Sequence, residues 1–355
     1  MTDSNSHAAQ SHNQTARRKG EHIRICLEED VQSTISGSGF DRYRFRHAAL
    51  PEIDFAQIDT SISFLGHQLP LPLLISSMTG GTAEAGAINL RLAEAAEARG
   101  WAIGLGSMRA AVEDEQLADT FRVRGAAPTV PVIANLGAVQ LNYGYGIDQC
   151  RRAVELAEAD ALVLHLNSMQ EVFQPEGDTN FRGLLSRIEE VCRLSEVPIG
   201  VKEVGWGIDG RTAARLADAG VSFVDVAGAG GTSWSQVEKY RLRDPLRAAA
   251  AEAFADWGIP TADSVREVRS QLPQMCVIAS GGLVSGVEAA KALALGADLA
   301  GFGRSLLRGA TSGELRSEEL HQQLARIEFE LRTAMFGVGA ASIEELQRGD
   351  MLYTR

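Results

Sequence analysis

Eight short apolar runs, each ending in polar residues or glycine, divide most of this 355-residue chain, and few folds accommodate that pattern. They are PLLISSM (72–78), WAIGLGS (101–107), VPVIANLG (130–137), DALVLHLN (160–167), VPIGVKEVG (197–205), VSFVDVAGAGG (221–231), MCVIASGG (275–282) and ADLAGFGR (297–304). Alanine-rich amphipathic segments such as INLRLAEAAEARG and VSGVEAAKALALGA separate them, and several close on a glycine suited to a left-handed helix cap. Strands apolar on both faces that alternate with helices make a parallel sheet covered by helices. Eight such units predict an α/β fold of the closed (β/α)8 TIM-barrel type rather than an open sheet.

Closure brings the polar ends of the runs together. Met78-Thr79-Gly80-Gly81, Ser107, Asn135, His165 and Asn167, Lys202 and Glu203, Asp225, Ser280-Gly281-Gly282 and Gly303-Arg304 would share the C-terminal rim, where catalytic groups of this fold converge. Roughly 45 residues separate the sixth and seventh runs, and the excess, TSWSQVEKYRLRDPLRAAAAEAFADWGIPT, holds two of the four tryptophans. It is either a lid over the mouth or an ordinary extra helix. The predicted organisation is a disordered polar tail over 1–17, an N-terminal segment over 18–70, the barrel over 71–340 and a C-terminal segment over 341–355. The N-terminal segment is free to cap either end of the barrel. The charged helical stretch beyond 305 suits packing on the outside.

A net charge of −12 argues against binding nucleic acid or an anionic membrane, and no apolar run is long enough to span a bilayer. The N-terminus lacks the order of a secretory signal, so the cytoplasm is the expected location. The cysteines 26, 150, 192 and 276 are too dispersed for a zinc site or a disulfide framework. Against the acidic background, ARRKGEHIR collects Arg17, Arg18, Lys19, His22 and Arg24.

The loops after the seventh and eighth strands are the frequent phosphate site of this fold, and here they carry Gly281, Gly282 and Arg304 before helix starts. The rest of the rim offers the small residues Gly80, Gly81, Gly104, Gly106 and Gly137, hydrogen-bonding Thr79, Ser107 and Asn135, and one lysine, Lys202. Room for a flat ring and a cation beside it suit a flavin. A Schiff-base aldolase using Lys202 as nucleophile, or a structural ion pair, makes other use of the same position. Strand alternation points Glu203 away from the lumen.

Taken in order, RKGEH (18–22), MTGG (78–81), GSMR (106–109), NLG (135–137), HLNSMQE (165–171), VKEVG (201–205), GAGGTSW (228–234), DWGIPT (256–261) and SGG (280–282) resemble the type 2, flavin-dependent isopentenyl diphosphate isomerases. The resemblance runs from residue 18 to past 300. It implies conversion of isopentenyl diphosphate to dimethylallyl diphosphate on an FMN-binding barrel, with reduced FMN, Mg2+ and NADPH as reductant, in a homo-oligomer (tetramer or octamer). It implies FMN contacts at Met78, Thr79, Gly80, Ser107, Asn135, Lys202 and Thr232, with Gly281, Gly282 and the more loosely matched Arg304 on the phosphate. Substrate contacts are implied at Arg18, Lys19, His22, Ser107, Arg109, His165, Asn167 and Gln170, and a metal ligand at Glu171. Gln170, Lys202 and His165 are the implied catalytic residues, with Gln170 either orienting or relaying a proton. Trp234 is either lid packing or a stacking partner.

Physical chemistry is consistent with these assignments. The basic cluster and Arg109 suit a diphosphate, and magnesium needs few protein ligands when phosphates supply the rest. Amides such as Gln170 and Asn167 are poor proton donors, so a cofactor is the better acid and base. Two other readings use the same barrel: an FMN-dependent oxidoreductase of a small hydroxy acid, and a non-enzymatic sensor of a phosphate ligand. The former needs a histidine base beside the flavin, but after His165 the next histidine is His321.

Overall fold

The computed structural model describes residues 18–33, 37–311, 314–348 and 350–354. The tail over 1–17, including Arg17, lies outside them. Eight parallel strands form a closed barrel: β1 (Leu73–Ile75), β2 (Ala102–Gly104), β3 (Val132–Gly137), β4 (Ala161–His165), β5 (Ile199–Lys202), β6 (Phe223–Asp225), β7 (Cys276–Ser280) and β8 (Leu299–Phe302). Each strand pairs with its neighbours in chain order, and β8 closes on β1 with Ala300 beside Leu73 and Phe302 beside Ile75. All eight lie within the apolar runs. Their residues are buried apart from the half-buried Cys276 and His165, the burial on both faces that a helix-covered parallel sheet requires.

Local chemistry sets where the covering helices start and stop. The Thr82 side chain accepts from the Ala85 N–H to begin Ala83–Arg99, and Gly100 ends it in a left-handed conformation with φ 70°. Asp209 and Ser285 cap Gly210–Asp218 and Gly286–Ala294 in the same way. The long helix Glu314–Val338 packs outside the barrel on Gly286–Ala294 and Arg304–Ala310.

The N-terminal segment serves both ends of the barrel. Its hairpin, Ile62–Phe64 with His67–Leu69, closes the N-terminal end: Phe64 and Leu69 pack with Leu74, Ala102, Ile133, Ala161, Phe223 and Ile278 in an apolar plug. Tyr43–Phe45 pairs antiparallel with Leu352–Thr354, so the N- and C-terminal segments meet in one small sheet. Earlier in the chain, residues 18–28 are helical and lie at the opposite end. There they meet the insertion after β6, which forms helices Trp234–Lys239 and Pro245–Glu252. Ile25, Val31 and Val237 join the two through an apolar cluster that Cys26 and Trp234 flank. Among the described residues, no helix is long and apolar enough to cross a membrane.

Candidate active site

The strand ends, the 18–28 helix and the insertion enclose a cavity of about 480 Å3 at the C-terminal mouth, within the size range of small-molecule sites. Met78, Thr79, Ser107, Arg109, Asn135, His165, Asn167, Gln170, Glu171, Lys202, Thr232, Gly281, Gly282 and Arg304 all line it, as do Arg18, Lys19 and His22 from the helix. Gly80 does not line the cavity, and a Cβ there would lie 2.0 Å from the Phe121 ring, so its missing side chain makes room for core packing. Of the other small residues, Gly106 and Gly137 line the cavity, whereas Gly81 and Gly104 do not. Arg24 turns to solvent and pairs with Glu28 at 3.2 Å.

The lining is strongly cationic in an acidic protein. Among its described lining residues are six basic side chains, Arg18, Lys19, Arg109, Lys202, Arg304 and Arg308, and one carboxylate, Glu171, although Arg109 also pairs with Glu113 at 2.9 Å and Asp178 at 3.0 Å behind the lining. Burial and the neighbouring Arg18 charge bring the Lys19 ammonium down to about 7. Burial also lowers Lys202, opposed by Asp225 and Glu203, and the Lys202 Nζ donates to the backbone carbonyl of Glu203. A cavity that holds cations at this cost is suited to an anion.

The end of β4 shows how amides and an imidazole are oriented. Asn135 Nδ2 donates to the Leu105 carbonyl at 3.0 Å, which turns its Oδ1 to His165 Nδ1 at 2.8 Å. The proton therefore sits on Nδ1, leaving Nε2 as an acceptor. Burial first, and then the charges of Lys202, Lys19 and Arg18, push the His165 pKa to about 3, so the ring is neutral. Within Ser168–Phe173, one helical turn sets Gln170 and Glu171 beside Asn167, whose Nδ2 donates to Glu171 Oε1 at 2.7 Å. The backbone N–H of Asp178 donates to Glu171 Oε2 at 2.6 Å. Burial nevertheless raises the Glu171 pKa.

Several groups here lack partners among the described residues. Ser76 Oγ, Thr79 Oγ1, Asn167 Oδ1 and Arg304 Nη1 are buried at the cavity with no hydrogen bond, an arrangement that is costly unless a ligand completes it. At the phosphate loops Gly281 and Gly282 take φ 108° and 81°, and a Cβ on Gly281 would lie 2.2 Å from the Gly228 carbonyl oxygen. Their backbone N–H groups donate to no acceptor among the described residues. The helix starts expected to help are less available. Arg304–Ala310 has 7 residues, and Ser285 already caps the helix after β7. The loop amides and Arg304 Nη1 are thus the groups left to hold a phosphate, and the orphaned hydroxyls and Lys202 fit a flavin ring above the barrel.

A family model of FMN-dependent dehydrogenases matches residues 12–127 and 148–353. The isopentenyl-diphosphate delta-isomerase of Oceanobacillus iheyensis is 53% identical over 331 residues, covering 93% of this chain and 94% of that protein. The enzyme of the same name from a Nostoc species is 51% identical over 339 residues, 96% of each. The chain belongs to the FMN-dependent, type 2 isopentenyl-diphosphate delta-isomerases. A mandelate oxidase solved with (S)-mandelic acid shares the fold at TM-score 0.67 and 21% identity, over 98% of this chain and 97% of that one.

In this isomerase family member, the described residues hold no cluster of three or more His, Cys, Asp or Glu side chains able to bind a metal by themselves. Glu171 alone fits an ion that takes its other ligands from phosphates and water.

The sequence reading missed Glu238. This lid carboxylate is fully buried and accepts from His22 Nε2 at 3.0 Å and from Gln170 Nε2 at 3.1 Å, and it pairs with Arg241. Burial works against its charge, but the His22 hydrogen bond, the Arg241 charge and the Gln170 amide hold its pKa down to about 2. Arg241 also reaches Glu21 and Glu176 at 3.1 Å each, and Arg18 approaches Glu176 at 3.7 Å. Trp234 lines the cavity and meets the His22 ring edge-on at 5.1 Å, giving it both a packing and a lining role. Glu203 points away from the cavity, where its Oε2 accepts the N–H groups of Val204, Gly205 and Trp206. Burial lifts its pKa to about 7.

Proposed function

We propose that this chain interconverts isopentenyl diphosphate and dimethylallyl diphosphate. Family membership at 53% identity supports this, and the observation that carries it is the cavity itself: six cations and four orphaned polar groups around one carboxylate, at the mouth of an FMN-family barrel. Met78, Thr79, Ser107, Asn135, Lys202 and Thr232 would hold FMN, with Gly281, Gly282 and Arg304 on its phosphate. Reduced FMN, when bound, supplies the proton donor and acceptor for shifting the double bond.

The side chains bind, orient and exclude water. Arg18, Lys19, His22 and Arg109 take the diphosphate, with Glu171 and Mg2+ beside it. Lys202, whose pKa burial lowers, would offer its buried amine nitrogen to negative charge on the ring. His165 stays neutral, offering Nε2 as an acceptor, and Gln170 and Asn167 present amides whose orientation Glu238 and Glu171 fix. Gln170, Asn167 and Glu238 are not poised as acids, since the amides do not titrate and Glu238 stays ionised. The same reading assigns NADPH as the reductant, a cytoplasmic location and a homo-oligomer, tetramer or octamer.

Anaerobic protein with dithionite-reduced FMN and Mg2+, but no electron acceptor, should convert isopentenyl diphosphate to dimethylallyl diphosphate, and NADPH should bleach the FMN band. Lactate or mandelate should leave oxidised FMN unreduced. Lack of conversion by fully reduced, FMN-loaded protein would overturn the proposal, as would bleaching by a hydroxy acid. The latter would instead establish the oxidoreductase reading.

A further inference from the structure

Arg304, an expected phosphate contact, has most of its guanidinium engaged elsewhere. Nε donates to the Cys26 carbonyl at 2.8 Å and Nη2 to the Glu29 carbonyl at 3.2 Å. Cys26 lies in the last turn of the 18–28 helix and Glu29 directly follows it, where the chain leaves carbonyls without helical partners. A basic side chain there both fills the hydrogen bonds and opposes the dipole. The third nitrogen, Nη1, is buried at the cavity and has no partner among the described residues. One planar group therefore has two of its nitrogens on the helix end and one left for the cavity that Gly281 and Gly282 also line.

A second set of contacts ties the same segment to the cofactor side. Ser33 N–H donates to the Gly231 carbonyl at 3.0 Å, Ser233 N–H donates to the Val31 carbonyl at 2.7 Å, and Gln32 bridges Thr232 between them. Gly231 and Thr232 line the cavity. Thus the C-terminal end of the helix rests on the loops that would hold FMN, while Arg18, Lys19 and His22 near its other end supply cations to the cavity.

We infer that Arg304 is a positioning residue that couples occupancy of the phosphate loops to docking of the helix carrying the substrate's cations. The inference rests on the proposed binding of FMN at these loops. A phosphate accepting from Nη1 would add a third anchor to a guanidinium whose other two nitrogens hold the helix-end carbonyls, fixing the plane of the fork more firmly. Occupancy of the phosphate loops then holds the arm in its working position, so the bound cofactor completes the substrate site.

Amide hydrogen exchange on the full chain, FMN-free and FMN-loaded, tests this, with absorbance reporting FMN uptake and peptides over 62–69 reporting that the barrel bottom stays folded. FMN should slow exchange across 23–33 by about tenfold or more and leave 62–69 unchanged. FMN-loaded Arg304→Gln should show no such slowing, and its KM for isopentenyl diphosphate should rise about tenfold with kcat within about threefold, as for one lost charge-assisted contact. If Arg304→Gln takes up no FMN, Arg304→Lys is measured in its place, since it keeps a charge for the phosphate but loses the fork.

Exchange over 23–33 that ignores FMN in the wild type would overturn the coupling, as would FMN-induced slowing that survives in the variant. Failure of the wild type to take up FMN would remove the proposed function and the coupling together. FMN uptake without slowing would remove the coupling alone.

Discussion

The two ends of the barrel solve opposite problems with parts of the same N-terminal segment. At the N-terminal end, Phe64 and Leu69 of a tight hairpin fill the lumen, and Phe64 meets Phe223 edge-on at 5.9 Å. At the C-terminal end the 18–28 helix brings cations over polar atoms that the protein leaves unsatisfied. The first end gains stability from dry packing. The second gives up stability for a site that a ligand completes, so substitutions at the two ends should fail in different ways.

The largest effect should come from the plug. Phe64→Ala should cost about 3–5 kcal/mol in denaturant unfolding while leaving KM of the folded enzyme unchanged. A large KM change would show that the bottom shapes the mouth. Lys202→Met should do the reverse, lowering kcat/KM about 10²–10³-fold with a small change in melting temperature. Lost stability without lost activity would reduce Lys202 to an ion-pair residue.

The Lys19 prediction concerns pH. With its pKa near 7, the ammonium is charged below that pH and neutral above it. The kcat/KM should therefore fall as pH rises through about 7, approaching tenfold per unit, and Lys19→Arg should remove that limb of the profile. A profile unchanged in the variant would take Lys19 out of substrate binding. A smaller change is expected from Glu171→Gln, which should raise the Mg2+ needed for half activity about tenfold. An unaltered metal titration would count against a ligand role. The smallest effect should come from deleting residues 1–16, with kcat and KM within about twofold on the view that tails contribute little to a packed core.

The barrel was legible because burial on both faces writes each strand as an uninterrupted apolar run, and closure then dictates where its polar end must go. Most residues at those ends, among them Thr79, Ser107, Asn135, His165, Lys202 and Arg304, could be assigned to one cavity without coordinates, whereas Gly81, Glu203 and Asp225 do not line it. Glu238 could not. Its role depends on how an irregular insertion folds back over the mouth, and SWSQVEK contains nothing periodic to indicate that its glutamate is buried against His22 and Gln170. The packing of Gly80 against Phe121 was not legible either, because a glycine that admits a neighbouring phenyl ring reads in sequence like one that admits a ligand. The double engagement of Arg304 was hidden for a related reason: its partners, Cys26 and Glu29, are backbone carbonyls far away in sequence and carry no side-chain signature.

The pairing of Tyr43–Phe45 with Leu352–Thr354 has a consequence for how the molecule is made. The first strand of this pair is made roughly 300 residues before its partner, so helices and neighbouring strand pairs of the barrel can form while this seam still waits. A permuted chain that places 350–354 directly before residue 43 would let the seam form early, turning a late event into a local one.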